Sequence, residues 1–74
     1  MGVGVRVVMT IRVNGEPRSV DRALRIAELV RSMADDPEGV AVAVNGEIVT
    51  HSRWHEREVR DGDDIEIVRA TQGG

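Results

Sequence analysis

The sequence predicts an α+β fold, a mixed sheet of about four to five strands with one main helix packed across one face. Three observations carry this. Asn14-Gly15 and Asn45-Gly46 each follow an apolar run; such pairs mark hairpins, because a type I′ turn needs positive φ at both central residues. One stretch has helical spacing, with Ile26, Leu29, Val30 and Met33 at i, i+3, i+4 and i+7. The other apolar runs are short and either alternate or lie between turn residues, as strands do.

The elements follow in order. From Val3 to Val13 the odd positions are Val3, Val5, Val7, Met9, Ile11 and Val13, a period of two that predicts a half-buried strand. After the first Asn-Gly turn, Glu16 to Val20 reads as a return strand, and Pro17 places it at an edge. The helix lies within "ALRIAELVRSMADD", with Asp21 as candidate N-cap. Its stop is weak, since Ala34 stands where glycine would help, and Pro37 and Gly39 are expected to end it. "VAVAV" at 40–44 is small and continuously apolar, which predicts a central strand buried on both faces. Glu47 to Thr50 is a short strand and "HSRWHEREV" is irregular. Asp61-Gly62 turns the chain into a last strand, "DIEIVRA" at 64–70, with Ile65 and Ile67 facing inward.

A helix after the first two strands, laid across one face of a mixed sheet, is the β-grasp or ubiquitin-like arrangement. The text "VNGE" occurs at 13–16 and again at 44–47; two similar hairpin turns explain it better than a repeat array. The domain is read as residues 1–70. Met9 offers a second start, which makes residues 1–8 an N-terminal extension. "TQGG" at 71–74 has no apolar anchor and reads as a flexible tail.

Composition narrows the function. At 74 residues the chain buries only about 60% of the surface its unfolded form exposes, which leaves little room for a private active-site cavity. A net charge of −3 and a single Trp with no Phe or Tyr argue against nucleic acid, which wants a basic stripe and stacking rings. There is no Cys, hence no thiol nucleophile and no thiolate ligand. Neither a membrane-length apolar run nor a secretory signal is evident, so a cytoplasmic location is the default. All ten basic residues are Arg. Codon bias explains that best, and it leaves no side-chain amine to attack an activated carboxylate.

Several residues invite a functional reading. Gly73-Gly74 has no side chains, so it can thread a narrow cleft, and the tail reaches on the order of 13 Å from the body. Val8, Ala41, Ala43 and Val68 are candidates for one docking patch on the sheet face away from the helix, with Arg69 and Gln72 leading into the tail. Chance placement of mildly apolar residues is the alternative. Trp54 is expected in the core, a partner contact being the other option. His51 and His55 are four apart but lack the H-E-x-x-H pattern and an evident third ligand, so they read as solvated loop residues and no metal is expected. "GVGVR" lacks the spacing of a phosphate loop. Asp61, Asp63 and Asp64 read as turn chemistry in a solvated loop rather than a cation site.

"VNGEP", "AELV", "DPEGVAVAVNGEIV" and "RDGDDIEIVRATQGG" together resemble the ThiS family, the sulfur carrier proteins of thiamine biosynthesis, over roughly residues 9–74. The resemblance implies a carrier, not an enzyme, with no cofactor of its own. It implies that an ATP-dependent, ThiF-like adenylating enzyme converts the Gly74 carboxylate into an acyl-adenylate. Sulfur from a persulfide-type donor then displaces AMP to leave a thiocarboxylate, and a ThiG-like thiazole synthase takes the sulfur. Arg25 departs from the usual polar helix cap and Ala34-Asp35 from the usual Gly-apolar exit. Rival readings are the small sulfur-carrier subunit of molybdopterin synthase, a ubiquitin-like protein modifier conjugated to lysines, and a binding module with an inert tail. The molybdopterin family tends to carry aromatics before its terminus, where this chain has "VRATQ".

Overall fold

The computed structural model describes residues 8–70. Its strands are β1 (Met9–Val13), β2 (Glu16–Val20), β3 (Val40–Val44), β4 (Glu47–Val49) and β5 (Asp64–Arg69), with the helix α1 (Ile26–Met33) between β2 and β3. The sheet order is β2-β1-β5-β3-β4; β1 and β5 run parallel and every other neighbouring pair is antiparallel. This is the expected α+β β-grasp architecture. Pro17 sits in edge strand β2, where its missing N–H costs no ladder bond.

Both Asn-Gly turns have the predicted conformation. Asn14 and Asn45 take φ of 55° and 53°, and Gly15 and Gly46 take 84° and 85°. Alternation then sets the core. Ile11, Val13, Val42, Val44 and Ile65 turn to the side covered by α1, where Ile26, Leu29 and Val30 are buried. Each such side chain contributes about 1.5–3 kcal/mol relative to exposure.

Four expectations are corrected. The strand expected over Val3–Val13 begins at Met9; Val8 precedes it, exposed, and residues 3–7 lie outside the described part. "VAVAV" is not buried on both faces, because β3 is one strand from an edge and α1 covers one side; Ala41 and Ala43 are half-buried. The centre is β5. Along β5, Ile65 and Ile67 face inward as expected: Ile65 is fully buried, and Ile67, nearer the open end, packs half-buried against the core opposite Val42. Asp21 is not the N-cap; Arg25 is. Finally, α1 stops at Met33, ahead of Pro37 and Gly39, which form a separate 3-10 turn. Ala34 ends the helix in extended backbone (φ −119°, ψ 134°) with its N–H donated to the Val30 carbonyl. A left-handed residue is not used, so glycine is not needed there.

The irregular segment after β4 explains how Arg25 serves as a cap without a capping oxygen. The first N–H groups of a helix lack partners within it. Here Ile26 N–H donates to the Arg57 carbonyl at 2.9 Å and Ala27 N–H to the Trp54 carbonyl at 3.0 Å. Glu28 reaches back to accept from the Arg25 N–H at 3.0 Å. Below this lid, Trp54 is buried as expected, and its indole N–H donates to the Val49 carbonyl at 2.9 Å. Trp54→Phe removes that donor from a part-buried site, so urea unfolding should show stability lowered by about 1–2 kcal/mol. An unchanged midpoint would show that the bond contributes nothing.

Candidate functional site

β5 positions the site, since it lies at the centre of the sheet and leads into the tail. Its pairing with β3 runs to Arg69, and Ala70 adds one more bond by donating its N–H to the Gly39 carbonyl at 2.8 Å. Thr71, Gln72, Gly73 and Gly74 lie outside the described residues.

Both Asn-Gly turns grip β5 with their side chains. The Asn14 N–H donates to the Ile65 carbonyl at 2.8 Å. Beyond that point β1 has turned away, and the Asn14 carboxamide takes its place. Oδ1 accepts from the Ile67 N–H at 2.8 Å, and Nδ2 donates to the Ile67 carbonyl at 3.2 Å. Asn45 grips the start of β5 from the β3 side. Its Oδ1 accepts from the Asp64 N–H at 2.9 Å and its Nδ2 donates to Asp63 Oδ1 at 3.0 Å. The repeated "VNGE" is thus two clasps on one strand, each bond worth a net ~0.5–1.5 kcal/mol.

The acidic residues beside the last turn are used the same way. Contrary to the solvated loop expected here, Asp63 is buried, because its carboxylate is used internally: it accepts from Asn45 Nδ2 and from the Arg60 N–H at 2.8 Å. Asp61 accepts from the Thr10 N–H at 2.8 Å. His51 and His55 are exposed, and the His51 ring stacks on Trp54 with centroids 4.1 Å apart. Among the described residues no group of three or more His, Cys, Asp or Glu could hold a metal ion.

The sheet face away from α1 carries an apolar strip. Val68 lies directly across from Ala41, and Ala43 stands between Glu66 of β5 and Ile48 of β4. Val68 is 56% exposed and Ile48 is 76% exposed. Of the residues singled out in the sequence, Val68, Ala41 and Ala43 therefore come together. Val8 does not join them. β1 and β5 are parallel with Arg12 opposite Asp64, which puts Val8 at the far end of the sheet, on the order of 26 Å from Val68 along the strands. Arg69 is opposite Val40, whose side chain is buried on the α1 side. Direct partners share a face, so Arg69 belongs to a cleft with Met33, Ala34, Asp35 and Asp36 rather than to the apolar strip. Ile48 was missed because β4 is too short for alternation to show; its position two residues after Gly46, opposite Ala43, is the signal that could have found it.

An apolar strip with two exposed side chains, Val68 and Ile48, bridged by the half-buried Ala41 and Ala43 and with Glu66 beside them, suits docking of a partner, and it reaches Val68, two residues before the last described one. Known proteins resemble most of the chain. A model of the ThiS family matches residues 11–74. The sulfur carrier protein ThiS of Thermus thermophilus is 38% identical over 61 residues, covering 82% of this chain and 94% of that protein. A thiazole synthase of Paramagnetospirillum magneticum is 36% identical over 66 residues, which is 89% of this chain but only 20% of the synthase. The crystal structure of the thiamine biosynthesis protein ThiS from Geobacter metallireducens superposes with a TM-score of 0.79 at 33% identity, covering 89% of this chain and all of that one.

Proposed function

Since the chain belongs to the ThiS family, the small sulfur carriers of thiamine biosynthesis, we propose that it carries sulfur as a thiocarboxylate on Gly74. The observation that supports this most is a family match that runs on past the folded body to Gly74 itself. A carboxylate is a poor electrophile, and splitting a hard substitution through an activated intermediate is the general remedy. The Gly74 carboxylate attacks the α-phosphorus of ATP in an adenylating partner, and pyrophosphate leaves. The terminal sulfur of a persulfide displaces AMP, and a thiol then cleaves the sulfur–sulfur bond. With no Cys in the chain, no side-chain thiol competes for the sulfur.

The folded body acts as a handle, and residues 71–74 as the arm that delivers. Val68, Ala41, Ala43 and Ile48 form the docking strip. Arg69 and Gln72 flank the point where the arm enters the partner. A thiazole synthase is proposed as the acceptor of the sulfur, and a synthase that contains a stretch similar to this chain supports it, because joining two activities in one polypeptide raises their effective concentration. The reading is tested by incubating the chain with ATP, the cognate adenylating enzyme and a persulfide donor, then weighing it intact. The expected product is heavier by the difference between sulfur and oxygen. Large adducts on other proteins would instead reveal a modifier, and an unaltered mass would reveal an inert tail.

A further inference from the structure

Asn14 and Asn45 sit in the same turn type, carry the same side chain and close on the same strand, Asn45 at its first residue and Asn14 past its midpoint, at Ile67. Asn45 fixes the start of β5. Asn14 fixes Ile67, three residues before the last described one. On the β3 side, the strand is paired as far as Ala70. On the β1 side, regular pairing covers only Arg12 with Asp64 and Val13 with Ile65. The bonds of Asn14 therefore decide whether β5 is a central or an edge strand over its last turn of pleat. Strands held on one side twist more freely than strands held on both.

We propose that Asn14 is a positioning residue for sulfur loading: its carboxamide holds β5 in line at Ile67, so that the arm beyond it enters the adenylating enzyme along one fixed direction. This rests on the reading of Gly74 as the loaded group. Docking and aiming are then carried by different residues. The strip around Val68 and Ile48 determines whether the carrier binds, and Asn14 determines where its end arrives. Asn14 lies in the turn between β1 and β2, outside that strip, and its carboxamide bonds the β5 backbone at Ile67.

The test compares Asn14→Gly with Asn45→Gly. Glycine tolerates the positive φ of both sites, so each variant loses a carboxamide without turn strain. The cognate adenylating enzyme is assayed by ATP–pyrophosphate exchange against carrier concentration, well below both melting temperatures. Asn14→Gly should lower kcat on the order of tenfold or more, since an ångström of misplacement can cost up to about a hundredfold, while KM stays within about twofold. Asn45→Gly should leave both near the parent even where it melts lower. Asn14→Asp keeps the acceptor for the Ile67 N–H and should fall between. Amide exchange read by NMR should quicken about tenfold or more at Ile67 in Asn14→Gly alone, in keeping with local opening. A parent chain that supports no exchange overturns the reading of Gly74 and this assignment with it. An active parent with equal kcat losses in the two glycine variants, or an unchanged kcat in Asn14→Gly, overturns the assignment alone.

Discussion

Removing Gly74, or adding one alanine after it, should abolish thiocarboxylate formation without lowering the melting temperature. Among the described residues the body is tied together without those positions: β5 ends at Arg69, and the last described bond from the strand to the β3 side is that of Ala70 to Gly39. On the proposed reading, the chemistry depends on them entirely. Deletion leaves a carboxylate on Gly73 that stops about 3.3–3.6 Å short, and a reacting group displaced even by an ångström loses up to about two orders of magnitude in rate. Appended alanine turns the Gly74 carboxylate into an amide and brings a Cβ into a path otherwise made by glycine. Intact mass after loading, with thermal unfolding of the same samples, checks both halves. Unchanged yield in either variant removes Gly74 as the sulfur acceptor.

The second large effect separates the two faces of β5. Ile65→Asp should unfold the protein, and Val68→Asp should fold normally but dock poorly. Ile65 is fully buried between Val13 and Val44 on the neighbouring strands. An unpaired carboxylate there is penalised by several kcal/mol, against a total stability of order 5–15 kcal/mol for ordinary domains and a thin core in this one. Val68 is more than half exposed across from Ala41, and substitutions at such sites typically stay within about 0.5 kcal/mol. In a docked complex, however, the new charge is desolvated without a partner. Affinity for the adenylating enzyme should fall at least tenfold, about 1.4 kcal/mol. Ile48→Asp should behave like Val68→Asp. Thermal unfolding and titration with the partner distinguish the outcomes. A Val68→Asp chain that melts far below the parent, or binds as tightly, refutes the assignment of faces.

What the sequence disclosed, and what it hid, follows from the range of each interaction. The Asn-Gly hairpins are local, so Asn14 and Asn45 announce their turns, and the alternation of Met9, Ile11 and Val13 announces a buried strand face. The cap of α1 is not local. Its donors are met by backbone carbonyls of Trp54 and Arg57, and a carbonyl has no residue type to betray it. Asp21 looked suitable only because capping was sought in the preceding side chains. Ala34 looked deficient only because a left-handed exit was assumed. The grip of Asn14 on Ile67 spans 53 positions, and the turn alone already accounts for an asparagine there. The docking strip was half legible: Val68, Ala41 and Ala43 follow from alternation, whereas placing Ile48 beside them and Val8 far away required the strand order.

That strand order also governs synthesis. β5 is the last strand in sequence and the middle one in space, with β1 on one side and β3 on the other. In a nascent chain that has reached β4, the strand that lies between β1 and β3, the parallel partner of β1, has not yet been made. Long-range pairings of this kind form late. A chain broken off before Asp64 lacks the central strand of the sheet and, with it, Val68 of the proposed docking strip. The strand that joins the two halves of the sheet is also the one that leads to the proposed arm, so a chain that stops short of it lacks both.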